Sequence, residues 1–312
     1  MFIARNQKDE IVNSLEGCLE KDSFWCLACE KRVGLKKGKK RLHHFYHHAL
    51  SLCPYSYERE SEEHLMLKAK LYQSLVLTEE VHVEKICCQG RQIADIMVNR
   101  HLILEVQCSS LTIERLEQRT KTYRQHGYYV LWLLGEKLWL KDRLRELHKH
   151  FLYFSKCLGF YIWELDLKKD TLRLKYLITI DTFGICHYLK KEFPIDKNLL
   201  KYLRYPFSEK KIQQLDYYLR QDIRLFIQKQ LYYGNQYWLR QQERAYLNGE
   251  NLLNKQNSDF YPFLSFPKND VGFCQIQDDL SNLYESFSRY YSSNKCCNKV
   301  TISSPFFYDY KS

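Results

Sequence analysis

The stretch of sequence that decides the fold is Arg91-Gln-Ile-Ala-Asp-Ile-Met-Val-Asn-Arg-His-Leu-Ile-Leu-Glu-Val-Gln107. Its pattern predicts a strand, a tight turn at Asn99-Arg100 and a second strand. Asp95 lies on the first strand, whereas Glu105 and Gln107 lie two positions apart on the second and therefore project from the same face. Two carboxylates on adjacent strands can share one hard divalent cation. The stretch therefore predicts a site for phosphoryl-transfer chemistry.

The segments on either side of this pair predict alternating helices and strands. Ser61 is a candidate N-cap for a preceding helix, and residues 81–88 predict a strand that leads into the pair. Thr112 caps a second helix, and the apolar run 128–134 follows it as a strand. A strand that is apolar on both faces and is reached through a helix belongs inside a sheet, parallel to the strand before it. We expect an α/β core with a mixed sheet of four to five strands and flanking helices.

Cysteines and histidines cluster in the N-terminal part, after residues that predict a small hairpin. Cys26 and Cys29 form a Cys-x-x-Cys turn, and His47 and Cys53 follow at the spacing of a structural zinc site, with His44 as an alternative ligand. The alternative is that the thiols are small buried side chains and the histidines a solvated patch. A short polar segment has little core of its own, which favours the zinc site.

Composition favours a soluble protein with a polyanionic partner. The 312 residues carry a formal charge of +11 and include 25 tyrosines, which suits nucleic acid, although AT-rich genomes produce the same bias. The lysine-rich run 34–41 is predicted to be a solvated loop that can also contact DNA. No apolar run is long enough for a membrane span or a signal peptide, so we expect a cytoplasmic protein with reduced thiols.

Three regions follow from these patterns. Residues 1–58 form a hairpin and a zinc-finger-like module, and residues 59–150 form the α/β core. Residues 151–312 predict an α+β region that is basic and aromatic, with a hairpin near residues 160–176 and then mostly helices. Its aromatic residues recur at helical spacing, which is more typical of a core than of a base-stacking surface.

The helix that begins near Ser61 carries charged residues along one edge. Glu60, His64 and Lys68 lie at i, i+4 and i+8, and Glu63 lies beside them. One interpretation is compensation of the helix dipole together with an ion pair. The other places Glu60 or Glu63 at the edge of a metal site.

Several motifs in order resemble the bacterial competence protein CoiA family, whose core resembles the PD-(D/E)XK nuclease superfamily. The resemblance extends from the N-terminus to about Gly135. It rests on Cys26-x-x-Cys29, His44-Phe-Tyr-His47, Cys53, Glu60-Ser-Glu-Glu-His64, Ala94-Asp95-Ile96, Glu105-Val-Gln-Cys-Ser-Ser110 and Glu117-Gln-Arg-Thr-Lys-Thr-Tyr123.

The resemblance implies a cytoplasmic protein of natural transformation that processes single- or double-stranded DNA in support of the recombinase RecA. By position, Asp95 and Glu105 would hold Mg²⁺ or Mn²⁺, and Glu63 or Glu60 would supply the glutamate of the first helix. Arg119 and Lys68 are candidate DNA contacts. These assignments predict a metal-dependent DNA nuclease.

The resemblance departs from the superfamily at Gln107, where a lysine is usual. A lysine can help to deprotonate the attacking water, whereas glutamine can orient the water but supplies no charge. An alternative is therefore a catalytically silent DNA-binding or RecA-adaptor protein on a nuclease-like scaffold. A generic zinc-containing DNA-binding protein is a third possibility, but it leaves the facing acids unexplained.

Overall fold

The computed structural model describes residues 1–17, 19, 22–38, 41–48, 53, 60–208, 211–219, 221–294 and 298–311. The packing of the backbone divides the chain into two compact units. The first consists of Met1–Trp139, Trp163–Leu174 and Lys191–Arg204, and the second of Leu140–Ile162, Lys175–Lys190 and Tyr205–Ser312. This division does not follow the predicted boundaries near residues 58 and 150, because two segments beyond residue 150 join the first unit. Those boundaries stay predictions.

The N-terminal residues form a five-stranded sheet. Its strands are β1 (Ile3–Arg5), β2 (Ile11–Asn13), β3 (Phe24–Trp25), β4 (Arg32–Gly38) and β5 (Arg41–His47), in the order β2-β1-β3-β4-β5. The antiparallel pairing of β1 with β2 confirms the predicted hairpin. Five side chains form its buried core: Ala4, Phe24, Cys26, Val33 and Phe45.

The lysine-rich run is not the predicted solvated loop, because most of its residues belong to β4. Leu35 pairs with Phe45 across β4 and β5 and packs against the small core, which holds this strand in the sheet. Gly34 lies under the ring of Tyr46. A Cβ at this glycine would lie only 2.5 Å from the ring, so a larger residue would have to push the Tyr46 ring aside.

The predicted order of helix, three strands, helix and strand is confirmed. The elements are α1 (Glu62–Leu75), β6 (Val81–Cys87), β7 (Gln92–Val98), β8 (Leu102–Gln107), α2 (Ile113–Gln125) and β9 (Tyr129–Leu134). Ser61 and Thr112 cap the two helices, each accepting a backbone N–H in the first turn. Strands β6, β7 and β8 are antiparallel, and β9 is parallel to β8, as expected for a strand reached through a helix.

The sheet is larger than the four to five predicted strands. The chain continues into α3 (Glu146–Phe151), β10 (Tyr153–Ser155), β11 (Gly159–Asp166), β12 (Thr171–Asp181) and β13 (Cys186–Pro194). The sheet order is β13-β12-β11-β9-β8-β7-β6, and β10 also pairs with β11. β11 lies parallel to β9, with Trp163 opposite Leu133. Every residue of β11 is buried, including Glu164 and Asp166, as expected for a strand with a neighbour on each side.

The remaining elements are α4 (Leu199–Leu203), α5 (Tyr205–Ser208), β14 (Gln214–Tyr218), α6 (Ile223–Tyr232), α7 (Gln236–Leu247), β15 (Leu264–Ser265), α8 (Ser281–Ser293), β16 (Lys299–Ser303) and α9 (Pro305–Lys311). β15 pairs with β12 and brings the large sheet to nine strands, and β14 pairs with β16. After the predicted hairpin, strands continue the sheet up to residue 194, and helices follow from Leu199. Within the described residues, none of the helices is long and apolar enough to cross a membrane.

Candidate functional site

Asp95 lies in the middle of β7 and faces a cleft of the first unit. Its Oδ2 accepts the backbone N–H of Val106 on β8 at 2.9 Å and lies 3.1 Å from Nε2 of His64 on α1. The pairing of β6 with β7 keeps one register on both sides of residue 84. Glu84 is therefore the residue opposite Asp95, and its backbone has a positive φ of 51°. The Glu84 carboxylate thus joins Asp95 from the neighbouring strand.

His64 lies between two carboxylates. Its Nδ1 is 3.3 Å from Oε1 of Glu60, and its other ring nitrogen faces Asp95. Burial opposes the charged imidazole, but the Asp95 and Glu60 carboxylates outweigh it and raise the pKa of His64 to about 9. The ligand atoms of Glu60, His64 and Asp95 all lie within 4.8 Å of one another, which is close enough for one cation to bind all three.

Lys68 lies one turn further along α1, with only 1% of its surface exposed. Its ammonium contacts Glu60, lies 2.8 Å from Oε1 of Glu84 and lies 3.7 Å from Oδ1 of Asp95. Burial opposes the charge, but these carboxylates raise the pKa of Lys68 well above its usual value. The predicted DNA contact is therefore placed inside the protein, where it neutralises carboxylates.

Glu84 also connects the site to the N-terminal sheet. Its Oε2 accepts the backbone N–H groups of Phe2 at 2.7 Å and Ile3 at 3.2 Å. The Met1 ammonium lies 2.5 Å from Oε2 of Glu60. The buried Phe2 ring packs beside Lys68, and the Lys68 ammonium nitrogen lies 5.4 Å from the ring centroid. The start of β1 and the start of α1 are thus held together through shared acids.

Glu105 is buried and has its own basic partner. Arg119 Nη2 lies 2.8 Å from its Oε1, and the Tyr123 hydroxyl donates to the same oxygen. The guanidinium of Arg119 also lies 5.1 Å from the ring centroid of Trp132. Burial raises the pKa of Glu105 to about 7, although the Arg119 charge opposes this rise. Arg119, predicted to contact DNA, is therefore paired with a predicted catalytic acid.

Gln107 and Glu63 take different positions around this cluster. Gln107 lines the cleft with Glu60, Asp95 and Glu105, and its amide donates to the backbone oxygen of Ser109 at 2.8 Å. The Glu63 carboxylate instead accepts the backbone N–H of Glu136 at 2.8 Å, in the turn after β9. The structure thus brings Glu60, and not Glu63, to the acids on the strands.

A second cluster contains the four residues predicted to bind zinc. The ligand atoms of Cys26, Cys29, His47 and Cys53 all lie within 4.8 Å of one another. The turn is closed by Cys26, whose backbone oxygen accepts the N–H of Glu30 at 2.9 Å. Burial raises the pKa of Cys26 to about 12, with a further rise from Cys53. Three thiols and one imidazole match the donor set of a structural zinc site.

His44 is not among these four residues, and its Nδ1 lies 2.9 Å from the backbone oxygen of Leu42. His44 lines the same cleft as the acids. The cleft has a volume of about 790 Å³. Basic and aromatic side chains from the N-terminal sheet and from the core contribute to the cleft walls: Lys36, His44, Tyr46, Arg91, Arg115 and Arg119. The first unit therefore carries an acidic cluster inside a cleft with cationic walls.

Two family models match the chain. Residues 60–206 match the competence protein CoiA nuclease-like domain, and residues 5–56 match the competence protein CoiA N-terminal domain. The chain belongs to the competence protein CoiA family. The first CoiA match contains every acid of the cleft, and the second contains all four zinc-ligand candidates. Residues beyond 206 lie outside both matches.

A curated relative is the competence protein CoiA of Bacillus subtilis (strain 168), which is 27% identical over 121 residues. The match covers 38% of this chain and 32% of the relative, so the chain matches about a third of that CoiA protein. No solved structure matches the chain.

Two residues of the site, His64 and Glu84, are not among those that the sequence pattern assigns to it. His64 was recognised on the edge of α1 that carries Glu60 and Lys68, and its i, i+4 spacing from Glu60 was the signal. Glu84 was recognised only as a strand residue. Counting outward from the turn at Gln89-Gly90 pairs it with Asp95, so the hairpin register could have identified it.

Proposed function

We propose that the protein is a metal-dependent nuclease that processes DNA during competence. The observation that carries the proposal is the convergence of Glu60, His64 and Asp95 on a space small enough for one cation. Oxygen and imidazole donors suit Mg²⁺ or Mn²⁺. Of the two ions, Mg²⁺ has the stronger preference for oxygen donors. Glu105, one strand away, would contribute to the same site once its carboxylate is free of Arg119.

The acids of the cluster are close together and have several positive partners. Four acids, Glu60, Glu84, Asp95 and Glu105, face the cations of Lys68 and Arg119, the protonated His64 and the Met1 ammonium beside Glu60. A divalent cation that bound to Glu60, His64 and Asp95 would therefore replace the proton of His64 and the Met1 ammonium as the partner of these acids. Carboxylates that face each other in such surroundings require a cation or a proton.

The residues of the cleft have separate roles in this proposal. Glu60, His64 and Asp95 would hold a divalent ion, which would supply a more acidic bound water and positive charge near the scissile phosphate. Lys68 holds Glu60, Glu84 and Asp95 in place while they bind the cation. Arg91 and Arg115 on the walls attract the phosphates of DNA, and Gln107 orients the attacking water through its amide.

The zinc cluster is proposed to have a structural role. Zn²⁺ bound by Cys26, Cys29, His47 and Cys53 would fix the turn and β5 against each other in a module whose core is small. This module supplies part of the cleft wall, so zinc would support DNA binding indirectly. We further propose that the protein acts in the cytoplasm on incoming DNA in support of RecA.

A second candidate function is a catalytically silent DNA-binding or RecA-adaptor protein. It is favoured by the Gln107 amide, which is bound to the Ser109 backbone, and by Glu105, which is bound to Arg119 and Tyr123. In this case the cluster would bind a cation and DNA without cleaving a phosphodiester bond.

Cleavage of labelled single- and double-stranded DNA with Mg²⁺ or Mn²⁺ tests the nuclease proposal, together with Mn²⁺ binding by calorimetry. Glu60→Gln is expected to weaken Mn²⁺ binding and to abolish cleavage. Glu62→Gln is the matched control, because Glu62 follows Glu60 by two residues, at the start of α1, but is exposed, and it should behave like the parent protein. Tight Mn²⁺ binding with intact DNA would instead support the silent scaffold. Equal Mn²⁺ affinity in both variants would refute the metal site.

A further inference from the structure

The helices α6 and α7 form a hairpin in the second unit whose turn exposes three tyrosines. Tyr232 ends α6, Tyr233 follows it, and Tyr237 lies in the first turn of α7. Their exposed fractions are 84%, 77% and 61%. We call residues 232–237 the hairpin tip. All six of its residues are exposed, although aromatics at helical spacing were predicted to lie in the core.

The exposure does not come from a poorly packed hairpin. The opposite sides of the two helices are buried, where Ile223 and Ile227 of α6 pack with Trp238 and Ala245 of α7. Asn235 caps α7 by accepting the N–H groups of Tyr237 and Trp238. The hairpin therefore has a core and a helix cap of its own, and the tip tyrosines remain outside that core.

The charge around the tip is of one sign. Residues 223–242 contain Arg224, Lys229 and Arg240 and no aspartate or glutamate. Arg224 lies 3.6 Å from Asp222, whereas Lys229 and Arg240 have no acidic partner among the residues that the structure describes. These two cations lie within one helical turn of the tip on either side. The tip thus presents aromatic rings between positive charges.

We propose that the hairpin tip binds single-stranded nucleic acid. Tyrosine rings stack on unpaired bases, and flanking lysine and arginine side chains bind the phosphates of the same strand. A duplex would hide the faces of its bases from the rings. A protein partner would require a wider apolar surface than this tip, whose remaining residues are glycine, asparagine and glutamine.

The surface is distinct from the acidic cleft. It lies in the second unit and beyond residue 206, outside both CoiA family matches. Its function would be to hold a strand and not to cleave it. The proposal therefore stands whether or not the cleft hydrolyses DNA.

Fluorescence anisotropy with a labelled oligothymidylate of 20 nucleotides tests the proposal, without added Mg²⁺ or Mn²⁺ so that cleavage does not interfere. Each base that stacks on an aromatic ring contributes enough for Tyr232→Ala to weaken binding about fivefold or more. The triple variant Tyr232→Ala, Tyr233→Ala, Tyr237→Ala should lose more than about tenfold. Tyr129→Ala is the control, because Tyr129 is 79% exposed in the first unit and should leave the affinity unchanged.

Salt dependence and cross-linking give two independent measurements. Lys229→Gln with Arg240→Gln should reduce the slope of log affinity against log salt by about 1.4, which is the loss of two phosphate contacts on a single strand. Oligonucleotides with 5-iodouracil should cross-link to the peptide that contains residues 232–237. Circular dichroism should show the parent helical content in every variant, since the substituted side chains are exposed.

Three results would overturn the proposal. One is a triple variant that binds the oligonucleotide as tightly as the parent. Another is a duplex of the same length that binds equally well and loses the same affinity in the triple variant, because the tip would then contact only phosphates. The third is self-association that the triple variant abolishes while oligonucleotide affinity stays constant, because a second copy of the chain would then be the occupant.

Discussion

Replacement of Lys68 by methionine should destabilise the first unit strongly. The ammonium is buried, contacts Glu60 and lies 2.8 Å from Glu84 and 3.7 Å from Asp95. Methionine preserves much of the side-chain volume but leaves these carboxylates without their shared cation. Removal of one partner from a buried ion pair costs about 3–5 kcal/mol, because the remaining charge stays buried and uncompensated. We expect a loss of free energy of unfolding in that range.

The matched control is Lys70→Met, two residues further along the same helix. Lys70 also forms an ion pair, at 2.5 Å from Asp170, but its partner is mostly exposed. Exposed pairs contribute about 0–1 kcal/mol, so this variant should lose at most about 1 kcal/mol. The two substitutions remove the same charge from the same helix. Their difference therefore measures the effect of burial and of the surrounding acids.

Urea unfolding followed by tryptophan fluorescence provides the assay. Four of the five tryptophans lie in the first unit: Trp25, Trp132, Trp139 and Trp163. The signal therefore reports mainly on the unit that contains Lys68. Addition of Glu84→Gln to Lys68→Met should restore part of the lost stability, because one uncompensated charge is removed. Equal losses in Lys68→Met and Lys70→Met would refute the account of a buried charge cluster.

Two further predictions concern the zinc cluster and the Glu105 pair. Cys29→Ser should abolish the release of zinc that a colorimetric chelator detects, whereas Cys157→Ser should still release one zinc per chain, since Cys157 lies outside the cluster. Release that is the same from both variants would contradict the assignment. Tyr123→Phe removes a hydroxyl that donates to buried Glu105 and should cost about 1–3 kcal/mol in urea unfolding. Tyr129→Phe, at an exposed position, should cost almost nothing, and a similar loss in both would count against the pair.

The parts of the fold that the sequence predicted correctly depend on local signals. The caps at Ser61 and Thr112 lie within three residues of the N–H groups that they accept. The hairpin from β7 to β8 follows from a short turn, residues 99–101, between alternating strands. The parallel position of β9 follows from the intervening helix, because such connections constrain the strand that comes next. These signals extend over a short distance along the chain.

The parts that were missed depend on contacts between distant residues. The pairing of β11 with β9 brings together Trp163 and Leu133, and no turn chemistry between them specifies that pair. The exposure of Tyr232 and Tyr237 depends on which side of each helix meets Ile223 and Trp238. Helical spacing indicates that one side is buried, but it does not exclude large aromatic side chains from the other side.

The site itself illustrates why a motif position is an incomplete guide to charge. The sequence raised the question whether Gln107 leaves the site without the cation that a lysine at this position would supply. The structure places Lys68 of α1 against Asp95, so a buried ammonium reaches the strand acids from the helix instead. Electrostatic interactions depend on distance and burial and not on which element carries the charge. The charge that counts at this site is therefore that of the whole cluster, in which Lys68, Arg119, His64 and the Met1 ammonium face four acids, whichever residue occupies position 107.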